Sequence, residues 1–252
     1  MRALSAVAAL ALTLTLTACG DNEESGGSSS SSAATAAPVG ESSSSSTPAQ
    51  GTDSDQAIAD AAVLTIDDMP SGWQAEPSDD ESESQEQAQK LAECVGVDLS
   101  DVENDQNAEA DSDDLKSPEG VTISTSVEVA SDEAWMTNAF EVQGGSEFRT
   151  CLADFLQDQF ADEEGDAVYG EVRNYPMVFP TYGDDTAAFR LSVPVTTQAD
   201  GLVVVMDFVM ARVGRASVVL TAVSTKGPVP ATELAGYLRL SVERLQTELG
   251  TS

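Results

Sequence analysis

The chain has 252 residues, 44 acidic side chains against 11 basic ones, a formal charge of −33 and no histidine. So acidic a surface repels nucleic-acid phosphates and anionic lipid headgroups, which excludes nucleic-acid binding. The missing histidine excludes Ser-His-Asp and Cys-His catalysis and removes the commonest metal ligand, so no catalytic residue, metal or cofactor is expected.

Arg2 precedes an apolar run from Ala3 to Leu16. A cation, a short apolar segment and small residues at a cut site form a secretory signal. About 14 residues at 1.5 Å each reach roughly 21 Å, short of the roughly 30 Å hydrocarbon core that a resident helix must span. Residues 1–18 therefore read as a cleaved signal. Within it, Leu16-Thr17-Ala18-Cys19 resembles the bacterial lipobox. That resemblance implies a diacylglycerol on the Cys19 thiol, cleavage before Cys19 and acylation, for example with palmitate, of the new amine. It places the protein on the extracytoplasmic face of the cell membrane; an ordinary signal peptide that happens to contain a cysteine is the alternative. Two or more acyl chains, at about 0.8 kcal/mol per buried methylene, hold a protein at a bilayer where one does not. The acidic surface cannot supply that attachment, so the acyl chains must.

Residues 19–57 are rich in Ser, Gly, Ala and Thr, with serine runs at Ser28–Ser32 and Ser42–Ser46. Such a stretch cannot offset its ordering entropy and reads as a disordered tether with a reach of roughly 30–35 Å. Roughly 190 residues remain for one folded domain, residues 58–252. With Cys19 acylated, Cys94 and Cys151 are left as an even pair in an oxidising compartment. A disulfide follows, two free buried thiols being the alternative.

Ile58 to Trp73 opens the domain, with Pro70 stopping an apolar run and Trp73 placed as a core anchor rather than a ligand-stacking group. Gln85 to Val95 is predicted helical from Ala88, Leu91, Ala92 and Val95, with Gly96 as the stop. Asp98 to Asp114 reads as a solvated acidic loop. A calcium loop starting at Asp101 would lack the glycine and closing glutamate that such loops require. Val121 to Ala130 alternates as a strand, with Thr122, Ser124, Ser126 and Glu128 on a wet face. Ser131 is placed as the cap of a short helix broken at Gly144-Gly145. From Ser146 a second helix carries Phe148, Cys151, Leu152, Phe155, Leu156 and Phe160 on one stripe.

Ala167 to Asn174 reads as a weak strand. Ala187–Thr196, Leu202–Arg212 and Ala216–Ser224 form a meander. A first turn centred on Gln198 and Ala199 sets Arg190 opposite Asp207, as a buried ion pair or, alternatively, a ligand-reading pair in a cleft. Leu234, Leu238, Val242, Leu245 and Leu249 mark a final helix across one sheet face. The fold class is α+β: a twisted antiparallel sheet of about five strands with helices packed against it.

Gly183-Asp184-Asp185 through Ala188-Phe189-Arg190, then Asp207 to Arg212-Val213-Gly214-Arg215-Ala216 and the closing helix, resembles actinobacterial envelope lipoproteins and PknH-like extracellular sensor domains. The resemblance implies a twisted antiparallel sheet with packed helices, disulfide staples and a cleft. The chain departs from those sensors in having no kinase domain and one candidate disulfide where they have more, and no functional residue is carried over.

These features predict a membrane-anchored, non-enzymatic binding or sensing module for an envelope ligand or protein partner. A carrier of lipid or another apolar ligand is the alternative and would need a dry pocket of roughly several hundred Å³. An envelope hydrolase comes third and would need carboxylates converging in a cleft.

Overall fold

The computed structural model describes residues 50–78, 85–98, 107–162, 167–197 and 201–251. The lipidation motif at Cys19, most of the tether and the acidic run from Asp101 to Asp105 lie outside them.

Three long strands form the centre: β7 (Asp185–Thr196), β8 (Gly201–Val213) and β9 (Ala216–Ser224), the predicted meander. β9 pairs along its whole length with β4 (Val121–Val129), so the alternating strand read from the sequence sits beside the last strand of the chain. The sheet is antiparallel and has nine strands among the described residues, more than the roughly five expected. The additions are short. β1 (Gln74–Glu76), β2 (Ala108–Asp111) and β3 (Asp114–Lys116) extend the β4 side, and the weak strand divides into β5 (Val168–Tyr169) and β6 (Arg173–Pro176) on β7. The division falls at Gly170, whose N–H reaches Pro194 O at 2.7 Å. β2 and β3 lie partly within the stretch read as a solvated acidic loop. Ala108 and Ala110 of β2 and Leu115 of β3 turn into the core, and three small or medium side chains are a weak hydrophobic signal.

Helices cover both faces. On one, α1 (Gln50–Ala62) and α5 (Ala231–Leu249) pack Ile58, Ala62, Leu234, Leu238, Val242 and Leu245 onto Ile123, Val127, Val209, Ala211, Val218 and Leu220. On the other, α2 (Gln85–Val95), α3 (Glu133–Gly144) and α4 (Ser146–Asp162) form the second layer. There Phe148, Leu152, Leu156 and Phe160 of α4 meet Phe189, Leu191, Val193, Met206, Phe208 and Met210. β8 is apolar on both sides because both sides are covered. α5 ends as predicted, with Gly250 left-handed at φ +67° and its N–H on the last helical carbonyls. α3 is capped one residue later than expected: Asp132, not Ser131, accepts from Trp135 N at 2.8 Å.

Regular structure is already present before residue 58. α1 starts at Gln50, and two residues assigned to the tether make tertiary contacts. Asp55 takes both Nη groups of Arg215, at 2.9 and 2.5 Å, and Gln56 Nε2 donates to Glu109 O at 2.7 Å. The polar composition of this helix hid it, because its partners lie far along the chain.

The two turns that carry the sensor-like resemblance lie against each other. Asp184 N donates to Arg212 O at 2.8 Å, and Gly214 N donates to Asp184 Oδ2 at 2.6 Å. Gly183 makes this approach feasible: its φ is +65°, and a Cβ would stand 2.2 Å from Arg212 O. Backbone cannot yield as a side chain does. Gly183→Ala should therefore lower stability by about 2–3 kcal/mol, from left-handed strain plus overpacking. Urea denaturation checks this, and an unchanged midpoint would contradict the docking of the two turns.

Candidate functional site

Arg190 and Asp207 are cross-strand partners on β7 and β8. Arg190 Nε donates to Asp207 Oδ1 at 2.5 Å and Nη2 to Oδ2 at 2.9 Å, a two-pronged pair. Asp207 is 1% exposed, and the Arg190 side chain is 25% exposed. Burial pushes the Asp207 carboxyl above its ordinary value, and the guanidinium pulls against that. Both carboxylate oxygens are engaged within the fold, which is how a structural pair is arranged rather than one that reads a ligand. Cys94, exposed in the last turn of α2, and Cys151, buried in the α4 stripe, form a disulfide with a Cα–Cα distance of 5.8 Å. Trp73 packs on the α1–α5 core and meets Tyr237 edge to face, with ring centroids 6.4 Å apart.

Chemical variety concentrates elsewhere, on the sheet face under α3 and α4. Paired positions Glu109, Glu128, Ser217, Arg212 and Asp185 form one row across five strands of this face. Arg212 occupies one end. It donates to Asp185 Oδ2 at 2.7 and 3.2 Å and to Gly214 O at 2.9 Å, with Asp184 at 3.6 Å and Glu133 at 3.8 Å. At the other end the two carboxylates of β2 and β4 stand directly opposite each other.

The face is divided. β7 and β8 present Phe189, Leu191, Met206, Phe208 and Met210, whereas β9 and β4 present Ser217, Thr221, Ser124 and Ser126. These four hydroxyl residues are buried, so the side of β4 predicted to be wet is largely enclosed. It faces the second helical layer, which the alternation of β4 alone could not reveal.

At the boundary between the halves lies a cavity of about 40 Å³. Glu109, Glu128, Ser126, Ser217 and Gln143 form its polar wall; Phe148, Leu152, Phe189, Phe208, Met210 and Val219 form its apolar wall. Ser126 Oγ reaches Glu109 Oε1 at 3.4 Å, and Asn107 Nδ2 donates to Glu128 Oε1 at 2.7 Å. Burial raises the Glu128 carboxyl above its ordinary value, and Asn107 only partly opposes this.

A group raised in the folded state stabilises the fold fully below its unfolded pKa. That contribution is lost as pH rises through the folded one. Glu128→Gln should accordingly be more stable than the parent at neutral pH, with the gain vanishing toward the ordinary carboxylate range. Thermal unfolding across that range reads the difference; a gain independent of pH would show that Glu128 is not the titrating group.

A second, open hollow of about 440 Å³ lies between the end of α2 and the α3–α4 junction, lined by Val95, Val97, Val142, Glu141 and Glu147 among others. Among the described residues, no group of three or more metal-ligating acids or cysteines is assembled. No described helix is long and apolar enough to cross a membrane.

In the sequence Glu128 and Phe148 stand out only as members of a wet face and a core stripe, and nothing local marks Glu109 and Ser217 as neighbours of either. The period-2 pattern Ala108-Glu109-Ala110-Asp111 was the available signal for β2. Compared with known proteins, the chain matches no protein-family model, and no curated protein or solved structure is significantly similar to it.

Proposed function

We propose that this protein is a lipid-anchored lipoprotein of the extracytoplasmic membrane face, whose domain is a non-enzymatic module that binds or senses an envelope ligand. Attachment through Cys19 rests on the lipobox, and an oxidising location accords with the Cys94–Cys151 bond. The binding reading rests on one observation above all, the cavity at the seam between a hydroxyl- and carboxylate-lined half and an aromatic half of one sheet face. Convergent polar groups set against an apolar wall are the usual makeup of a small-molecule site. The sensor-like resemblance of the two docked turns points the same way.

Carriage of a lipid asks for several hundred Å³ of dry space. The cavity beneath α3 and α4 offers about 40 Å³, and the larger hollow is more open, with Glu141 and Glu147 in its wall. A hydrolase draws some support from Glu109 and Glu128 sharing one cavity, yet a space this small admits no sugar ring.

Native mass spectrometry of the acylated protein, taken from its own membrane, tests the proposal. A diacylglyceryl mass on Cys19 and a small retained ligand are expected. An unacylated, intracellular protein would refute the anchoring. A bound intact lipid would transfer the assignment to the carrier.

A further inference from the structure

We infer that the open hollow between the end of α2 and the α3–α4 junction docks a basic segment of another protein. An aliphatic side chain of that segment fills the hollow, and flanking Lys or Arg heads meet Glu141 and Glu147. The inference concerns a second surface and does not rest on the seam cavity.

The hollow, of about 440 Å³, is walled by Val95 and Val97 at the end of α2 and by Val142 on α3, all three half-buried. Apolar side chains gathered round a surface depression mark a place that a partner covers. Asn138, Glu141 and Glu147 line the same hollow and are exposed. None of these three side chains has a hydrogen-bond or ion-pair partner among the described residues. Glu141 stands in the last turn of α3, where the carbonyl end of the helix is itself partly negative and no basic residue answers it. The only cation of α3 and α4, Arg149, donates to Gly144 O at 3.3 Å and does not line the hollow.

The disulfide holds the two walls together. Cys94 immediately precedes Val95, and Cys151 lies one helical turn beyond Glu147 on the same side of α4. The bond thus joins the valine wall to the carboxylate wall, and a partner meets a surface already in place. A small ligand in so open a hollow would stay largely in water, whereas a protein surface covers the rim. The stems of Lys and Arg lie along apolar groups while their heads reach the carboxylates. A second copy fits poorly, because chains of formal charge −33 repel each other.

The probes are three synthetic tetrapeptides, acetyl-Lys-Val-Leu-Lys-amide and its counterparts with Gln or Glu in place of both lysines. Each is titrated onto the full acylated chain in phosphatidylcholine nanodiscs, whose neutral lipid does not attract the basic peptide, while valine-methyl NMR shifts are followed. One exposed ion pair is worth a factor of about two to five. The Lys peptide should therefore bind about fivefold more tightly than the Gln peptide and move the Val95, Val97 and Val142 signals, and the Glu peptide should not move them. E141Q with E147Q should remove the Lys advantage, whereas E233Q with E248Q, on α5 in the other helical layer, should keep it. Equal binding of the Lys and Gln peptides, or an equal loss from both pairs of substitutions, overturns the inference, the second by tracing binding to the overall charge. If propylammonium alone matches the Lys peptide, the hollow takes a free cation and the protein partner falls. If these valine signals shift with protein concentration alone, a second copy occupies the hollow and the inference likewise fails.

Discussion

Arg190→Met should destabilise the domain by about 3–5 kcal/mol, the cost of leaving a buried carboxylate without its partner. Asp207 has 1% of its side chain exposed, so water cannot replace the two hydrogen bonds that Arg190 supplies. Replacing both members, as Arg190→Met with Asp207→Leu, should restore most of the loss, because an apolar pair of similar volume replaces a buried ion pair at little cost. Acid should also rescue the single variant. Without the guanidinium, nothing opposes the upward push of burial on Asp207, so the folded state binds a proton more readily than the unfolded chain. Stability then falls as pH rises through that raised value. Glu128 shifts in the same direction in the parent, so the informative quantity is the parent-minus-variant difference at each pH. Urea midpoints for the four chains of the cycle measure it. A single variant losing less than about 1 kcal/mol would place Asp207 in contact with water, contrary to its burial.

That pair also shows what a sequence makes visible. Its register follows from the spacing of two consecutive strands, a local quantity, although Gln198 and Ala199, on which the turn was centred, lie outside the described residues; the stripes of α4 and α5 and the alternation of β4 are equally local. The components that escaped notice depend on partners distant along the chain. α1 looks like tether until Asp55 meets Arg215, 160 positions away. β2 is four residues of alternating alanine and acid whose placement depends on docking against β4. The cavity inherits this difficulty, since its polar wall requires β2, β4 and β9 side by side and its apolar wall requires α4 above β7 and β8. Glu128 was visible as a residue but not as a site, because alternation tells which residues share a face without telling what covers it. Two helical layers, rather than one, explain why both sides of β8 are apolar.

The Cys94–Cys151 bond should contribute about 4 kcal/mol, the chain-entropy value for closing a loop of 57 residues. Replacing both cysteines by serine should lower the urea midpoint accordingly, and the loss should appear first in α2. That helix has 11 residues, and its described buried side chains are Ala88, Leu91 and Ala92. A helix so short is marginal in water without tertiary support, and two alanines and a leucine provide little. Cys94 lies in its last turn and Cys151 within the apolar stripe of α4, so the bond fastens a helix with three described buried side chains to one with six. Hydrogen exchange in the double variant should therefore accelerate at the α2 amides well below the global transition, while β8 and β9 stay protected. Because Val95 and Val97 wall the open hollow beside the α3–α4 junction, release of α2 would also open that hollow. If α2 and the central strands lose protection together, the bond acts through the unfolded chain alone; if the midpoint does not move, the loop entropy is being offset by structure that persists after unfolding.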